Sequence, residues 1–172
     1  MRYNISLAAL AATLVTASPA FAQVASATAE ARGVVLQPLT LAKVSDLDFG
    51  TVVGSAVAGS VTIDADSGNR SVGGGVTGVA SYPGSRGLFG GAGTANQDVL
   101  LVLNAPAVLV STTNPAETIA VTSMVLDANN STTRTIGSTA AFFVGVGGEF
   151  AIAANQAPGL YAANFDLTAD YQ

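Results

Sequence analysis

The chain has 172 residues, of which 49% are hydrophobic and only 10% are charged, and its net charge is −5. It contains no histidine, cysteine or tryptophan, so it lacks the side chains of Ser-His-Asp and Cys-His nucleophile systems and the usual ligands of zinc and copper. An acidic surface repels phosphate backbones and anionic lipid head groups. We therefore predict a protein that is not an enzyme, uses no cofactor, and neither binds nucleic acid nor inserts directly into a membrane.

The first 22 residues have the layout of a secretory signal peptide. Met1 and Arg2 are followed by an apolar run, Ile5 to Val15, that is too short to span a membrane, and small residues at Ala20 and Ala22 precede Gln23. We therefore expect export to the periplasm, the cell surface or the extracellular space. The predicted organisation is a signal peptide (1–22), an N-terminal extension (23–35) and a β-sandwich domain (36–172).

The first half of the domain shows short β-branched runs separated by turn residues. Pro38 lies between residues 34–36 and 39–41, which predicts an edge strand or a bulge there. A strand over 60–64, a turn over 64–69 and a return strand from Arg70 predict a hairpin. The glycine-rich stretches Gly73–Gly75 and Tyr82–Gly93 are interpreted as loops.

The second half continues the same pattern. Strands are predicted over 99–103, 107–110 and 118–126, the first of them covered on both faces because it is continuously apolar. Residues 127–131 are predicted to form a turn. Two strands, 141–146 and 150–153, flank Gly147-Gly148 and predict a second hairpin.

The last eleven residues before Gln172 carry the clearest signal in the sequence. Apolar side chains from Tyr161 to Tyr171 alternate with mostly polar ones, with a period of two. This pattern predicts one strand with an apolar face against a core, and its place at the end of the chain makes it a candidate sheet edge. Together these elements predict an all-β fold, an immunoglobulin-like Greek-key β-sandwich that is either complete or lacks one strand.

Four stretches resemble a family of exported proteobacterial proteins known as domain of unknown function 4402. The four are Leu39-Thr40-Leu41 with Lys43, Asp46 to Gly50, Val144 to Gly148, and Ala154 to Tyr161. The resemblance extends roughly from Val34 to Gln172, and the family label implies no particular activity.

The end of the chain is also similar to chaperone–usher pilins of the archaic branch. These pilins share a penultimate aromatic, here Tyr171, a glycine fourteenth from the end, here Gly159, and a segment like Leu47 to Gly50. The resemblance implies a sandwich that lacks one strand, with the gap filled first by a periplasmic chaperone and then by the N-terminal extension of another pilin-like subunit. It implies partner-strand binding by five residues: Gly159, Tyr161, Phe165, Leu167 and Tyr171.

The candidate donor strand is the N-terminal extension. Its odd-numbered positions from 25 to 35 are four alanines, Gly33 and Val35, and they alternate with Val24, Ser26, Thr28, Glu30, Arg32 and Val34, so the apolar set is mostly alanine. A buried valine or leucine contributes about 1.5–3 kcal/mol, and an alanine contributes much less.

Two pairs of acidic residues suggest other chemistry. Asp64 and Asp66, with Asn69, are spaced so that they are compatible with a calcium site, although a hairpin turn explains the same residues better. Asp46 and Asp48 would share one face of an extended strand, where paired carboxylates can act as acid and base. We interpret them as solvent-facing neighbours of the buried Leu47 and Phe49.

Two functions therefore remain open. The first is a structural subunit of a pilus-like or cell-surface assembly that pairs through its C-terminal strand. The alternative is a self-contained surface-binding or carbohydrate-binding module that uses loops such as Tyr82–Gly93. A hydrolase is a distant third reading.

Overall fold

The computed structural model describes residues 24–172, so the predicted signal peptide lies outside the described residues. The chain divides into two units after Val34, and residues 24–34, the described part of the first unit, contain no helix or strand. The second unit, Val35–Gln172, contains every described strand. The strands are β1 (Thr40–Ser45), β2 (Val52–Val53), β3 (Gly59–Ile63), β4 (Arg70–Gly74), β5 (Thr77–Gly78), β6 (Gly87–Ala92), β7 (Asp98–Asn104), β8 (Val108–Ser111), β9 (Thr118–Leu126), β10 (Thr133–Thr135), β11 (Ala141–Ile152), β12 (Tyr161–Ala162) and β13 (Asp166–Tyr171).

The strands form antiparallel sheets, which confirms the predicted all-β, sandwich-like fold. The larger sheet has the order β1-β6-β11-β9-β8-β12, with β3 and β4 attached beside β11. The smaller sheet has the order β10-β7-β13, and β2 pairs with β5 in a separate ribbon. The one helical turn in residues 24–172, α1 (Asp127–Asn130), is left-handed at Ala128 and Asn129, so it serves as the turn that the sequence predicted. No helix in the described part of the chain has the length and apolar character to cross a membrane.

Strand β11 is the centre of the larger sheet. Its first half pairs with β6, its second half pairs with β3 on the same side, and β9 pairs along the opposite side from Val146 to Ala151. Even-numbered residues from Phe142 to Ile152 are buried, as the period of a strand requires. One strand therefore supplies side chains to both parts of the core.

The predicted hairpin at Gly147-Gly148 is wrong, because β11 runs straight through these glycines. A Cβ at Gly147 would lie 2.4 Å from the carbonyl oxygen of Ile63, and one at Gly148 would lie 2.6 Å from that of Ser123. The glycines allow neighbouring backbone to approach closely and do not reverse the chain.

The predicted loop over Tyr82–Gly93 is also wrong from Gly87 onward, because residues 87–92 form β6 between β1 and β11. A Cβ at Gly91 would lie 2.2 Å from the ring of Phe142. The Phe142 side chain of β11 therefore supplies the apolar bulk that β6 lacks. The sequence of β6 by itself gives no sign of this contact.

The core has two clusters of buried side chains. The first cluster lies between the two sheets and includes Phe89, Val99, Leu101, Phe142 and Val144. The second cluster lies beside it and consists of Val61, Val76, Ile119, Phe150 and Ile152. In β7, Val99 and Leu101 are buried while Leu100 and Val102 are 40% and 44% exposed. This strand is therefore covered on one face only, contrary to the prediction.

The alternating stretch at the end of the chain is two strands. β12 pairs with β8 in the larger sheet, whereas β13 pairs with β7 in the smaller one. The chain changes sheets between Ala162 and Asp166, so the predicted single strand is broken. Most of its apolar side chains still contact the core: Tyr161 packs on the second cluster, and Phe165, Leu167, Ala169 and Tyr171 pack on the first. Ala163, at the break between the strands, is exposed.

Two other predictions are confirmed. β3 and β4 form the predicted hairpin, with Ile63 paired to Arg70 across the turn. β1 begins after Pro38 and pairs only with β6 among the described strands, so it is the predicted edge strand. β10, which pairs with β7, was not predicted.

Candidate functional site

An open groove of about 900 Å³ lies over the second core cluster. One wall is the irregular segment Asp46–Gly54, and the other is Gln156–Ala163 with Phe165. The groove arises because the smaller sheet covers the first cluster, whereas in the second unit (35–172) loops and the β2–β5 ribbon lie near the second cluster. Within Val35–Gln172, part of the inner face of the larger sheet therefore has no covering strand.

The base of this groove is apolar. Ile119, Phe150 and Ile152 are 5–6% exposed and belong to the second cluster. Phe49 packs edge-on against Phe150, with ring centroids 4.6 Å apart, but it remains half-buried. The open apolar surface of the groove therefore comes mainly from half-buried side chains such as Phe49, which lie over this buried base.

A smaller cleft of about 390 Å³ continues the groove between β1 and β13. The two cavities share Asp46, Leu47, Ala163 and Phe165. β1 is the end strand of the larger sheet and β13 is an end strand of the smaller sheet. Each of these strands therefore has one edge without a ladder partner in the described chain, and such edges are templates for another strand.

Arg70 holds the first wall of the groove. Its guanidinium donates hydrogen bonds to the carbonyl oxygens of Thr51 (3.0 Å), Tyr82 (2.9 Å) and Val79 (2.9 Å), with a longer bond of 3.4 Å to Phe49. Gly50 has φ +73°, and a Cβ there would lie 2.6 Å from the guanidinium and 2.3 Å from the Tyr82 carbonyl oxygen. The wall is therefore built around one arginine that satisfies backbone carbonyls from two loops.

Tyr171, the last residue of β13, is hydrogen-bonded to two segments that are distant in the sequence. Its hydroxyl accepts a hydrogen bond from the Thr94 N–H (2.7 Å) and donates one to the Gln37 carbonyl (2.8 Å). A Cβ at Gly93 would lie 2.3 Å from this hydroxyl, so Gly93 makes the approach possible. We refer to Tyr171, Gln37 and Thr94 as the tyrosine clasp. It ties the end of β13 to the segment before β1.

Four of the five residues predicted to bind a partner strand line the two cavities, and the fifth, Tyr171, does not. Gly159, Tyr161 and Phe165 line the main groove, and Phe165 and Leu167 line the smaller cleft. Tyr171 lines neither and instead forms the clasp. The Tyr161 hydroxyl donates to the Ala157 carbonyl (2.7 Å) and accepts from the Gln156 amide (3.0 Å), which fixes the second wall.

Sequence reasoning missed the first wall and the base as groove residues. Phe49, Val52, Leu109 and Ile119 come from three separate parts of the chain, and no local pattern joins them. The segment Leu47 to Gly50 did provide a signal, since it was one of the stretches behind both family resemblances.

The acidic pairs have structural roles. Asp46 forms an exposed ion pair with Lys43 (2.6 Å), and Asp48 accepts the Gly50 N–H (2.7 Å). The N–H and hydroxyl of Ser67 donate to one carboxylate oxygen of Asp64, and these bonds lower the pKa of Asp64. Asp66 instead accepts the Ala128 N–H (2.8 Å). Asp64 thus stabilises the β3–β4 turn, and nowhere in residues 24–172 do three potential acidic metal ligands come together.

Comparison with known proteins gives one match. No curated protein and no solved structure matches the chain. The sequence profile described as "Domain of unknown function (DUF4402)" matches residues 39–171, which include both walls of the groove, its base and strand β13. The chain therefore belongs to the DUF4402 family.

Proposed function

We propose that this protein is an exported structural subunit of a pilus-like or cell-surface assembly, and that it pairs with a strand of another protein through its groove. The partner is a periplasmic chaperone or a neighbouring pilin-like subunit. The proposal rests chiefly on one observation, the uncovered apolar groove that continues between the free edges of β1 and β13.

Two features of the groove, its free strand edges and its apolar base, suit an extended peptide better than a small solute. A strand lying along β1 or β13 would satisfy its own backbone groups on the free edge while placing alternate side chains over the core. The apolar base provides the contacts for those side chains. A site that offers both backbone pairing and apolar burial is typical of β-strand addition.

The energy of filling the groove is large relative to the stability of a domain. The half-buried side chains at its surface include Phe49, Val52, Leu109, Tyr161 and Phe165. Complete burial of such a side chain contributes about 1.5–3 kcal/mol, and these are already half covered, so five of them would gain on the order of 5 kcal/mol. Domain stability is only about 5–15 kcal/mol. A partner strand would therefore change both stability and aggregation behaviour.

The sequence supports the exported location. The leader-like residues 1–22 indicate secretion, and a chain without cysteine needs no oxidative folding in the periplasm. The alternative, a self-contained binding module, would be a complete sandwich that uses loops such as Tyr82–Gly93. Residues Gly87–Ala92 of that stretch belong to β6, so it offers a shorter loop for binding, and the apolar groove beside free strand edges favours strand pairing.

The test is site-specific photo-crosslinking in the native host. A photoreactive phenylalanine replaces Leu167 in the smaller cleft, and the matched control replaces Phe143, which is 63% exposed in β11 and lines neither cavity. We expect adducts from position 167, with the crosslinked chain found in surface fractions. Mass spectrometry should locate the crosslink in an alternating apolar segment of the partner.

Two results would contradict the proposal. One is equal adduct formation from positions 167 and 143, which would indicate random collisions. The other is an exported chain that stays monomeric and forms no adduct from position 167.

A further inference from the structure

We infer that the strand that fills the groove comes from a different polypeptide with bulky apolar side chains at alternate positions, and not from residues 23–35 of a second copy. This inference rests on the proposed function and specifies its partner. It makes the protein a member of a mixed assembly in which this groove holds a strand of a different protein.

The first argument is size. The groove has a volume of about 900 Å³, and its base is formed by large side chains such as Ile119, Phe150 and Ile152. Close packing requires a ligand whose side chains fill that space. On the odd-numbered face of the extension, positions 25 to 31 carry only methyl groups, position 33 carries no side chain, and Val35 at the end is the one larger group, so this face would leave most of the groove empty.

The second argument is polarity. In the other phase, Val24 and Val34 stand at the two ends of the face, and the four residues between them, Ser26, Thr28, Glu30 and Arg32, would face the apolar base. Glu30 and Arg32 form an exposed ion pair (2.8 Å), and their side chains are 69% and 81% exposed. Moving these charges onto Phe150 and Ile152 would remove their hydration without any new partner. Neither face of the extension therefore fits.

The third argument is charge at the rim. Asp46, Asp48 and Asp166 lie along the two cavities, and Lys43 is the one basic residue that lines them. Lys43 is already paired with Asp46. The rim therefore favours a strand with lysine or arginine at its outward positions. In the extension, the single basic residue is Arg32, which is paired with Glu30.

The test compares three synthetic peptides on the full chain recovered after export. The first peptide alternates Val, Leu, Ile and Phe with Thr and Lys. The second replaces every apolar residue of the first with alanine, and the third is residues 23–35. Calorimetry or fluorescence anisotropy measures the dissociation constants at low and moderate salt.

We expect the bulky peptide to bind at least about 100-fold more tightly than either of the other two, because several buried methylene groups distinguish them. Phe49→Ala should weaken that binding at least about tenfold, whereas the matched control Phe143→Ala should leave it unchanged. Added salt should moderately weaken binding of the bulky peptide, since the rim charges are exposed and salt screens their attraction to its lysines.

The outcomes separate the inference from the proposed function. Tight binding of the 23–35 peptide, sensitive to Phe49→Ala, would overturn the inference while leaving strand pairing intact. Spontaneous polymers that disappear when residues 23–35 are deleted would do the same. If no peptide binds, or if Phe49→Ala has no effect on binding, the proposed function fails and the inference fails with it.

Discussion

The tyrosine clasp gives a sharp prediction, because the family resemblance and the structure assign different roles to Tyr171. If Tyr171 mainly contacts a partner strand, its hydroxyl should matter little to the isolated protein. In the structure the hydroxyl joins Thr94 and Gln37, which precede β7 and β1. Tyr171→Phe removes the two hydrogen bonds and keeps the ring that packs on the first core cluster.

The magnitude follows from these two bonds. Each contributes about 0.5–1.5 kcal/mol net, which gives about 1–3 kcal/mol in total. Gln37 is exposed, so water can replace the hydroxyl at its carbonyl, whereas Thr94 is half-buried. We therefore expect the lower part of the range, a loss of about 1–2 kcal/mol in the free energy of unfolding. At roughly 3 °C per kcal/mol for a domain of this length, the melting midpoint should fall by about 3–6 °C.

Urea and thermal unfolding of the isolated chain measure this loss. The control is Tyr82→Phe, since Tyr82 is 66% exposed and its hydroxyl forms no side-chain hydrogen bond within residues 24–172. The control should change stability by less than about 0.5 kcal/mol. Hydrogen exchange should show faster exchange at the Thr94 amide in Tyr171→Phe. If the two variants have equal stability, the clasp does not hold in solution and the argument from geometry is refuted.

Three further predictions concern the groove wall and the β3–β4 turn. Arg70→Lys should lower stability by about 1–3 kcal/mol and weaken binding of the bulky peptide, because one ammonium cannot bond four carbonyls. The control is Arg134→Lys: the Arg134 guanidinium bonds Asp127 and nearby carbonyls, so this variant should lower stability and leave peptide binding intact. Gly50→Ala should destabilise the chain by at least about 2 kcal/mol in urea unfolding, since φ is positive and the Cβ meets backbone. Gly54→Ala, where the nearest atom is 3.6 Å away, should be nearly neutral. Asp64→Asn should be less stable than the parent at neutral pH, and this difference should vanish as pH falls through the lowered pKa of Asp64, because a depressed carboxyl pKa stabilises the fold only above it.

Each of these comparisons has a result that contradicts it. Equal peptide binding by Arg70→Lys and the parent would show that the wall does not depend on Arg70. Equal stability of the Gly50 and Gly54 variants would show that the close approach at Gly50 relaxes freely. A difference between Asp64→Asn and the parent that does not shrink as the pH falls below the ordinary pKa range of aspartate would not come from the charge of Asp64.

The sequence alone determined the class of fold and many local elements. Period-two alternation and turn residues gave the β3–β4 hairpin and strand β9 with its following turn, since both signals depend only on neighbours in the chain. The apolar face from Tyr161 to Tyr171 was also readable, because alternation sets which side chains turn inward. The prediction that the protein is not an enzyme came from composition alone, since the sequence contains no histidine or cysteine.

Only the tertiary structure decided what the glycines do and where the groove lies. Gly87–Ala92 and Gly147-Gly148 look like loops and turns, yet they are strand interiors because Phe142 and the backbone near Ile63 fill the space that their missing side chains leave. The break between β12 and β13 likewise depends on which sheet each half can pair with. The groove joins Phe49, Leu109 and Ile152, which are far apart in the chain, so no local pattern encodes it. Packing between distant segments creates such a site, and its residues become visible only when those segments are brought together.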